Sequence, residues 1–281
     1  MLRIAIPNKG TLSGPAAQML REAGYRQRGD DRDLICRDEA NNVEFFYLRP
    51  RDIATYVGSG DLDLGITGRD LLVDSASPAN EMLDLDFGAA TFRFAAPPEM
   101  VSTVDQIAGR RIATAFPGIV ERYLTEHGTP ATVIRLDGAV ENAVRLGVAD
   151  VVADVVSTGA TLRQAGLVIV GEPIMHSSAV LIRRGEAPAN GQVDQLVRRL
   201  HGVLVARRYV MLAYDVRADL LDQATALTPG IESPTISPLH REGWVAVEAL
   251  VLRQDVHRIM DELHDVGARA ILVTNLHACR L

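Results

Sequence analysis

Alternating strand-like and helix-like segments over the first two-thirds of the chain predict an α/β protein of mostly parallel sheets covered by helices. After residue 207 the pattern changes to a βαββαβ order, which predicts a separate small module. A third observation divides the α/β part. Gly60-Asp61-Leu62-Asp63-Leu64-Gly65-Ile66 echoes Gly147-Val148-Ala149-Asp150-Val151-Val152-Ala153. In each, an aspartate follows the glycine by three residues, and an apolar strand then leads to a threonine-glycine turn, Thr67-Gly68 or Thr158-Gly159. Two lobes of similar topology facing each other across a cleft are expected, although so short a repeat also arises by chance.

The elements follow in order. Residues 2–7 read as a strand, and 11–23 as a helix with Pro15 in its first turn and Gly24 at its end. Residues 43–48 form a clear strand, 52–57 a short helix and 62–67 another strand. Further strands are expected near 92–96, 111–115, 132–136, 150–155, 167–171 and 179–182, with helices near 117–127, 139–146 and 159–165. Between 192 and 206, Val193, Leu196, Val197, Leu200, Val203 and Leu204 share one face, as an amphipathic helix requires. The terminal module reads as a strand at 209–214, a helix at 218–227, strands near 235 and at 244–251, a helix at 255–266 and a strand at 270–275. That is the ferredoxin-like plan, which serves metabolite sensing and dimerisation equally well.

Composition excludes several classes. A net charge of −7 argues against nucleic acid as a partner. No apolar run reaches the roughly 18 residues of a membrane helix. The opening Met1-Leu2-Arg3-Ile4-Ala5-Ile6-Pro7 reads as a buried strand, not as a leader, so a cytoplasmic location is expected. Cys36 and Cys279 read as reduced structural thiols, and the seven histidines lack ligand spacing, so no transition-metal site is expected.

The segment from Asp150 to Leu162 carries the most chemistry. An apolar strand ends at Asp154, and the small residues Ser157, Thr158, Gly159, Ala160 and Thr161 then open a helix. Such a loop offers clustered backbone N–H groups and hydroxyls to a terminal phosphate, beside a carboxylate able to accept from sugar hydroxyls. Equally, Ser157 or Thr158 could simply cap the helix. Lys9 is the only lysine in the chain and follows the first strand, where a compact ammonium suits a phosphate.

Glu141, Gly147, Ala149, Val152, Asp154, Val155, Ser157, Gly159, Thr161 and Leu162 together resemble, position for position, the signature of the ATP phosphoribosyltransferase family. The stretches Ile6-Pro7-Asn8-Lys9-Gly10, Leu48-Arg49-Pro50-Arg51-Asp52-Ile53 and Asp63-Leu64-Gly65-Ile66-Thr67-Gly68 are similar to the same family. So is Pro229-Gly230-Ile231-Glu232-Ser233-Pro234-Thr235-Ile236, which looks like the regulatory domain of its long form.

The resemblance implies a two-lobed, periplasmic-binding-protein-like catalytic part with a C-terminal regulatory domain. Lobe I would be discontinuous (1–91 plus 179–207), lobe II would span 92–178 and the regulatory domain 208–281. It implies that adenine N1 of ATP attacks C1 of phosphoribosyl pyrophosphate, with Mg²⁺ on the phosphates and pyrophosphate leaving, in the first step of histidine biosynthesis. No protein nucleophile is needed. Ser157 to Thr161 would hold the 5-phosphate and Asp154 the ribose hydroxyls. Lys9 and Arg49 would face the phosphates, Asp70 would contact the nucleotide, and Glu141 would reach substrate. Arg49 could instead pair with Asp52 on the surface, and Asp70 could be a structural carboxylate at a helix start. L-Histidine would inhibit allosterically through Asp215, Ser233 and Thr235, with Ile231 and Ala270 lining its pocket. Homo-dimers assembling into hexamers are implied too. Solute-binding proteins share the two-lobed plan without chemistry, whereas a transcriptional regulator would need a basic helix-turn-helix that is absent from the sequence.

Overall fold

Strand β1 (Leu2–Pro7) buries Ile4 through Pro7 consecutively, as the middle of a sheet covered on both faces requires. After it come α1 (Ser13–Glu22), β2 (Ile35–Asp38), β3 (Val43–Leu48), α2 (Pro50–Ser59), β4 (Leu64–Gly68), α3 (Arg69–Ser75) and β5 (Ala79–Asp84). The chain then crosses into β6 (Ala90–Ala96), β7 (Arg111–Thr114), α4 (Pro117–Glu126), β8 (Thr132–Arg135), α5 (Asn142–Arg145), β9 (Val151–Val156), α6 (Ala160–Gln164) and β10 (Val168–Ser177). It returns through β11 (Ala179–Arg184) and continues as α7 (Gly191–Arg208), β12 (Tyr209–Arg217), α8 (Leu221–Leu227), β13 (Thr235–Pro238), β14 (Trp244–Leu252), α9 (Val256–Val266) and β15 (Arg269–Asn275). This computed structural model describes residues 1–185 and 190–280.

The strands form three sheets, ordered β2-β3-β1-β4-β11-β5, β10-β6-β9-β7-β8 and β13-β14-β12-β15. The first two are mixed, which corrects the mostly parallel expectation. Their centres are parallel (β3, β1 and β4; β8, β7 and β9), but β11 and β6 enter antiparallel to the strands beside them. These are strands by which the chain crosses between lobes, and each arrives from the opposite end of its sheet. The two echoing segments lead into β4 and β9, both interior strands, and in both Gly68 and Gly159 stand at the N-cap of the next helix.

By contacts the chain divides into residues 1–21 with 25–190 and residues 22–24 with 191–281. Both α/β lobes therefore lie in one unit. Helix α7, expected to close the first lobe at residue 207, groups with the terminal unit. The terminal sheet has the expected ferredoxin-like order and is antiparallel throughout. Val210, Leu212, Tyr214 and Val216 alternate inward from β12 onto α8 and α9, while Met211, Ala213 and Asp215 face away.

Packing in the first lobe fixes where chemistry can sit. Ile53, Ala54 and Val57 of α2 lie on Ala5, Leu62 and Val180. Gly65 permits this, because a Cβ there would collide with Ile53 and Val57. Thr67 Oγ1, fully buried, donates to the Pro50 carbonyl at 2.9 Å and ties the end of β4 to the start of α2. Both cysteines are free thiols, and no helix among the described residues is long and apolar enough to cross a membrane.

Candidate active site

The ends of β1, β4 and β9 meet at a cavity of about 420 Å³. Lys9, Asp70 and Phe116 line it with Ser157, Ser177 and Ser178, so both lobes contribute. A second cavity of about 260 Å³ adjoins it through Val155 and Ser157 and is lined by Glu141, Asp154 and the loop through Thr161. Of the expected catalytic and substrate residues, all but Arg49 line one or other cavity. Arg49 is exposed at the N-cap of α2, one residue before Pro50, which does line the larger cavity. Among the described residues neither Arg49 nor Lys9 forms an ion pair, so the alternative pairing of Arg49 with Asp52 is not formed.

The loop after β9 turns at Gly159, whose φ of +68° an L side chain rarely adopts. It leads into α6, a helix of five residues, so an anion there would meet the loop and first-turn N–H groups more than a helix macrodipole. Thr158 Oγ1 accepts a long bond from the Ala160 N–H at 3.4 Å. Glu141 stands at the N-cap of α5, which covers only 142–145 where 139–146 was expected. Ala139, at φ +49°, breaks the earlier helical turn.

Three carboxylates, Asp70, Asp154 and Glu141, gather at these adjoining cavities, and Lys9 lines the larger one with Asp70. Asp70 is 9% exposed, its Oδ1 accepts the Leu71 N–H at 2.8 Å, and burial pushes its pKa up. The Asp70 backbone N–H donates to Ser177 Oγ at 3.1 Å. Asp154 is likewise pushed up, first by burial and then by the charges of Glu141 and Asp70, against one stabilising bond from the Val155 N–H. Such a cluster favours a ligand that brings hydroxyl donors or a bound cation. Among the described residues no group of three or more metal-type side chains is set to hold a metal by itself.

Sequence reasoning missed Phe116, Ser177 and Ser178, which carry no motif and reach the cavity only because β6, β7 and β10 bring them there.

The residues expected to bind an effector are spread over one face and one end of the terminal sheet. Asp215 and Thr235 occupy the open face, on β12 and β13 with β14 between them. Ile231 and Ser233 lie in the turn after Gly230, where a Cβ would meet the Ser233 backbone at 3.1 Å. Ala270 sits at φ +50° in the β15 bulge opposite β12, beside the Asp215 and Arg269 pair. A non-glycine residue there holds strain, which gathers at ligand sites.

Known proteins are similar to this chain in sequence and in fold. Residues 49–202 match the family model described as HisG, ATP phosphoribosyltransferase, and residues 206–278 match the HisG C-terminal domain. A Salinispora tropica protein named ATP phosphoribosyltransferase is 74% identical over 281 residues, covering all of both chains. One of the same name from Streptomyces coelicolor is 59% identical over 285 aligned positions, again covering both completely. In fold, the chain resembles the ATP phosphoribosyl transferase (HisG:HisZ) complex from Thermotoga maritima, with a TM-score of 0.61 at 24% identity over 72% of this chain and 99% of that one.

Proposed function

The chain belongs to the ATP phosphoribosyltransferase family, and we propose how its own residues carry that family's reaction and its control. The enzyme joins N1 of the adenine of ATP to C1 of phosphoribosyl pyrophosphate and releases pyrophosphate. Positive charge grows on the sugar and negative charge on the leaving group, so holding two substrates in line and stabilising the departing charge supply most of the acceleration.

The observation that carries this reading is the loop from Asp154 to Thr161, open at one cavity and adjoining a second lined from the opposite lobe. The N–H groups of Ser157 to Thr161 hold the 5-phosphate, and Asp154 accepts from the ribose hydroxyls. Glu141 stands at the same cavity and adds a second acceptor for the sugar. Lys9 faces the pyrophosphate, Arg49 reaches the ATP phosphates from the rim, and Asp70 contacts the nucleotide. The clustered carboxylates fit Mg²⁺ brought in on the pyrophosphate, where it would neutralise leaving-group charge, with Asp154 the first residue to hold it.

In the terminal domain, L-histidine is the inhibitor. Asp215 takes its ammonium group, Ser233 and Thr235 take the carboxylate, and Ile231 and Ala270 line the ring. Dimers assembling into hexamers complete the working form, in the cytoplasm. A direct test follows formation of phosphoribosyl-ATP from ATP and phosphoribosyl pyrophosphate with Mg²⁺ and pyrophosphatase, with and without L-histidine. Product suppressed by histidine supports both parts. Product indifferent to histidine removes the regulatory assignment, and no product from folded protein removes the catalytic one in favour of a binding protein.

A further inference from the structure

A cluster outside the substrate residues joins the two lobes directly. Arg51, in the first turn of α2, sends Nη1 to Asp74 Oδ2 of α3 at 2.6 Å and donates from Nη2 to the Ala115 carbonyl at 2.8 Å. Its guanidinium also lies over the Phe116 ring, 4.9 Å from the centroid. The other oxygen of Asp74, Oδ1, accepts the Gly118 N–H at 2.8 Å, in the first turn of α4. The backbones are so close that a Cβ on Gly118 would lie 2.6 Å from the Asp74 carbonyl oxygen. Arg51 and Asp74 come from the first lobe, whereas Ala115, Phe116 and Gly118 come from the second.

We propose that Arg51 and Asp74 are positioning residues that clasp the 115–118 turn to the first lobe and thereby set the distance between the substrate-binding halves of the cavity. Phe116 is both held by Arg51 and part of the wall of the cavity that Lys9 and Asp70 also line. Asp74 follows Asp70 on the same short helix, so a shift of the clasp moves the nucleotide-side carboxylate too. The Arg51 charge also bears on Asp70. A salt bridge whose arginine is 41% exposed adds little stability by itself. The geometric effect is larger: displacing reacting groups by about 1 Å costs on the order of 10²-fold in rate.

The clasp rests on the phosphoribosyl-transfer reading, and wild-type turnover is measured first to separate the two. Without wild-type product it is that reading which fails, and the clasp is then judged by backbone exchange alone. Three variants follow: Arg51→Met keeps the apolar stem, Asp74→Asn keeps an acceptor for Gly118, and Gly118→Ala wedges the backbones apart while leaving both charges. Each is expected to melt within a few degrees of wild type. Each should also lose about 10- to 100-fold in kcat/KM for both substrates, and Arg51→Met with Asp74→Asn combined should lose no more than the worse single change. Amide hydrogen exchange at 115–118 should quicken in all three. Folded Arg51→Met and Asp74→Asn proteins with both KM values and kcat within twofold of wild type would overturn the proposal. So would unchanged exchange at 115–118, or losses that simply add.

Discussion

Asp154 occupies the proposed site at a cost to stability. Its pKa is raised by burial and by two neighbouring carboxylates, so the folded protein binds its proton more tightly than the unfolded chain does. The stability attached to that proton is fully present below the ordinary carboxylate pKa near 4. It is lost as pH rises through the raised value. Asp154→Asn is therefore expected to melt higher than wild type at pH 7 and to lose this advantage toward pH 3, measured by thermal scans across that range. The same change should lower turnover by about 10²-fold, the scale of losing one placed polar group in an active site. At Gly159 the demand is conformational. Gly159→Ala forces φ +68° on an L residue, at a cost of about 1 kcal/mol. Its kinetic mark should be a raised KM for phosphoribosyl pyrophosphate with the KM for ATP nearly unchanged.

At the scale of elements, the hydrogen bonds that join a helix to its sheet matter more than the exposed ion pairs. In the terminal unit, Tyr214 of β12 meets Thr228 at the end of α8, hydroxyl to hydroxyl at 2.8 Å, and both residues are buried. Thr228 Oγ1 also donates to the Ala224 carbonyl at 3.3 Å, so Tyr214→Phe removes one buried hydrogen bond without leaving Thr228 unpaired and is expected to cost about 1 kcal/mol, read from the urea midpoint of the terminal transition. By contrast, Arg258 with Glu262 on α9 is an exposed i,i+4 pair, and Arg258→Ala should move that midpoint very little.

For the whole molecule, the regulatory proposal predicts linkage. A ligand that binds only the folded state raises the melting temperature with its concentration. L-Histidine should therefore raise the melting temperature of the protein, and Asp215→Ala should abolish both that rise and the inhibition of turnover. Inhibition that survives Asp215→Ala would move the effector site away from the open face of the terminal sheet.

Much of this was legible because it is local. Strands β1 and β3 announce themselves through apolar runs and alternation, and the 209–217 strand through inward residues at every second position. The loop after β9 is contiguous, so its small residues stand out in the sequence, while the roles given to Asp154, Ser157 and Gly159 lean on the family resemblance. Two strands escaped notice, and α3 was anticipated only as a helix start at Asp70. Strand β2 is short and mostly unburied, α3 spans seven residues, and β5 carries Asn80, Glu81 and Asp84. It is a strand because it pairs with β11, about a hundred residues further on. Propensity cannot register a partner that far away.

Composition and periodicity were sufficient to establish the α/β class and the terminal βαββαβ module, and the contiguous loop was sufficient to suggest a phosphate site. Each depends on interactions within a few residues of one another. The antiparallel entry of β6 and β11, the meeting of Lys9 and Asp70 with Ser157, and the closure of Arg51 and Asp74 on Gly118 depend on distant segments arriving together. Those arrangements come from sheet register and core packing, in which every strand's place depends on all the others, and no single stretch of the chain encodes them.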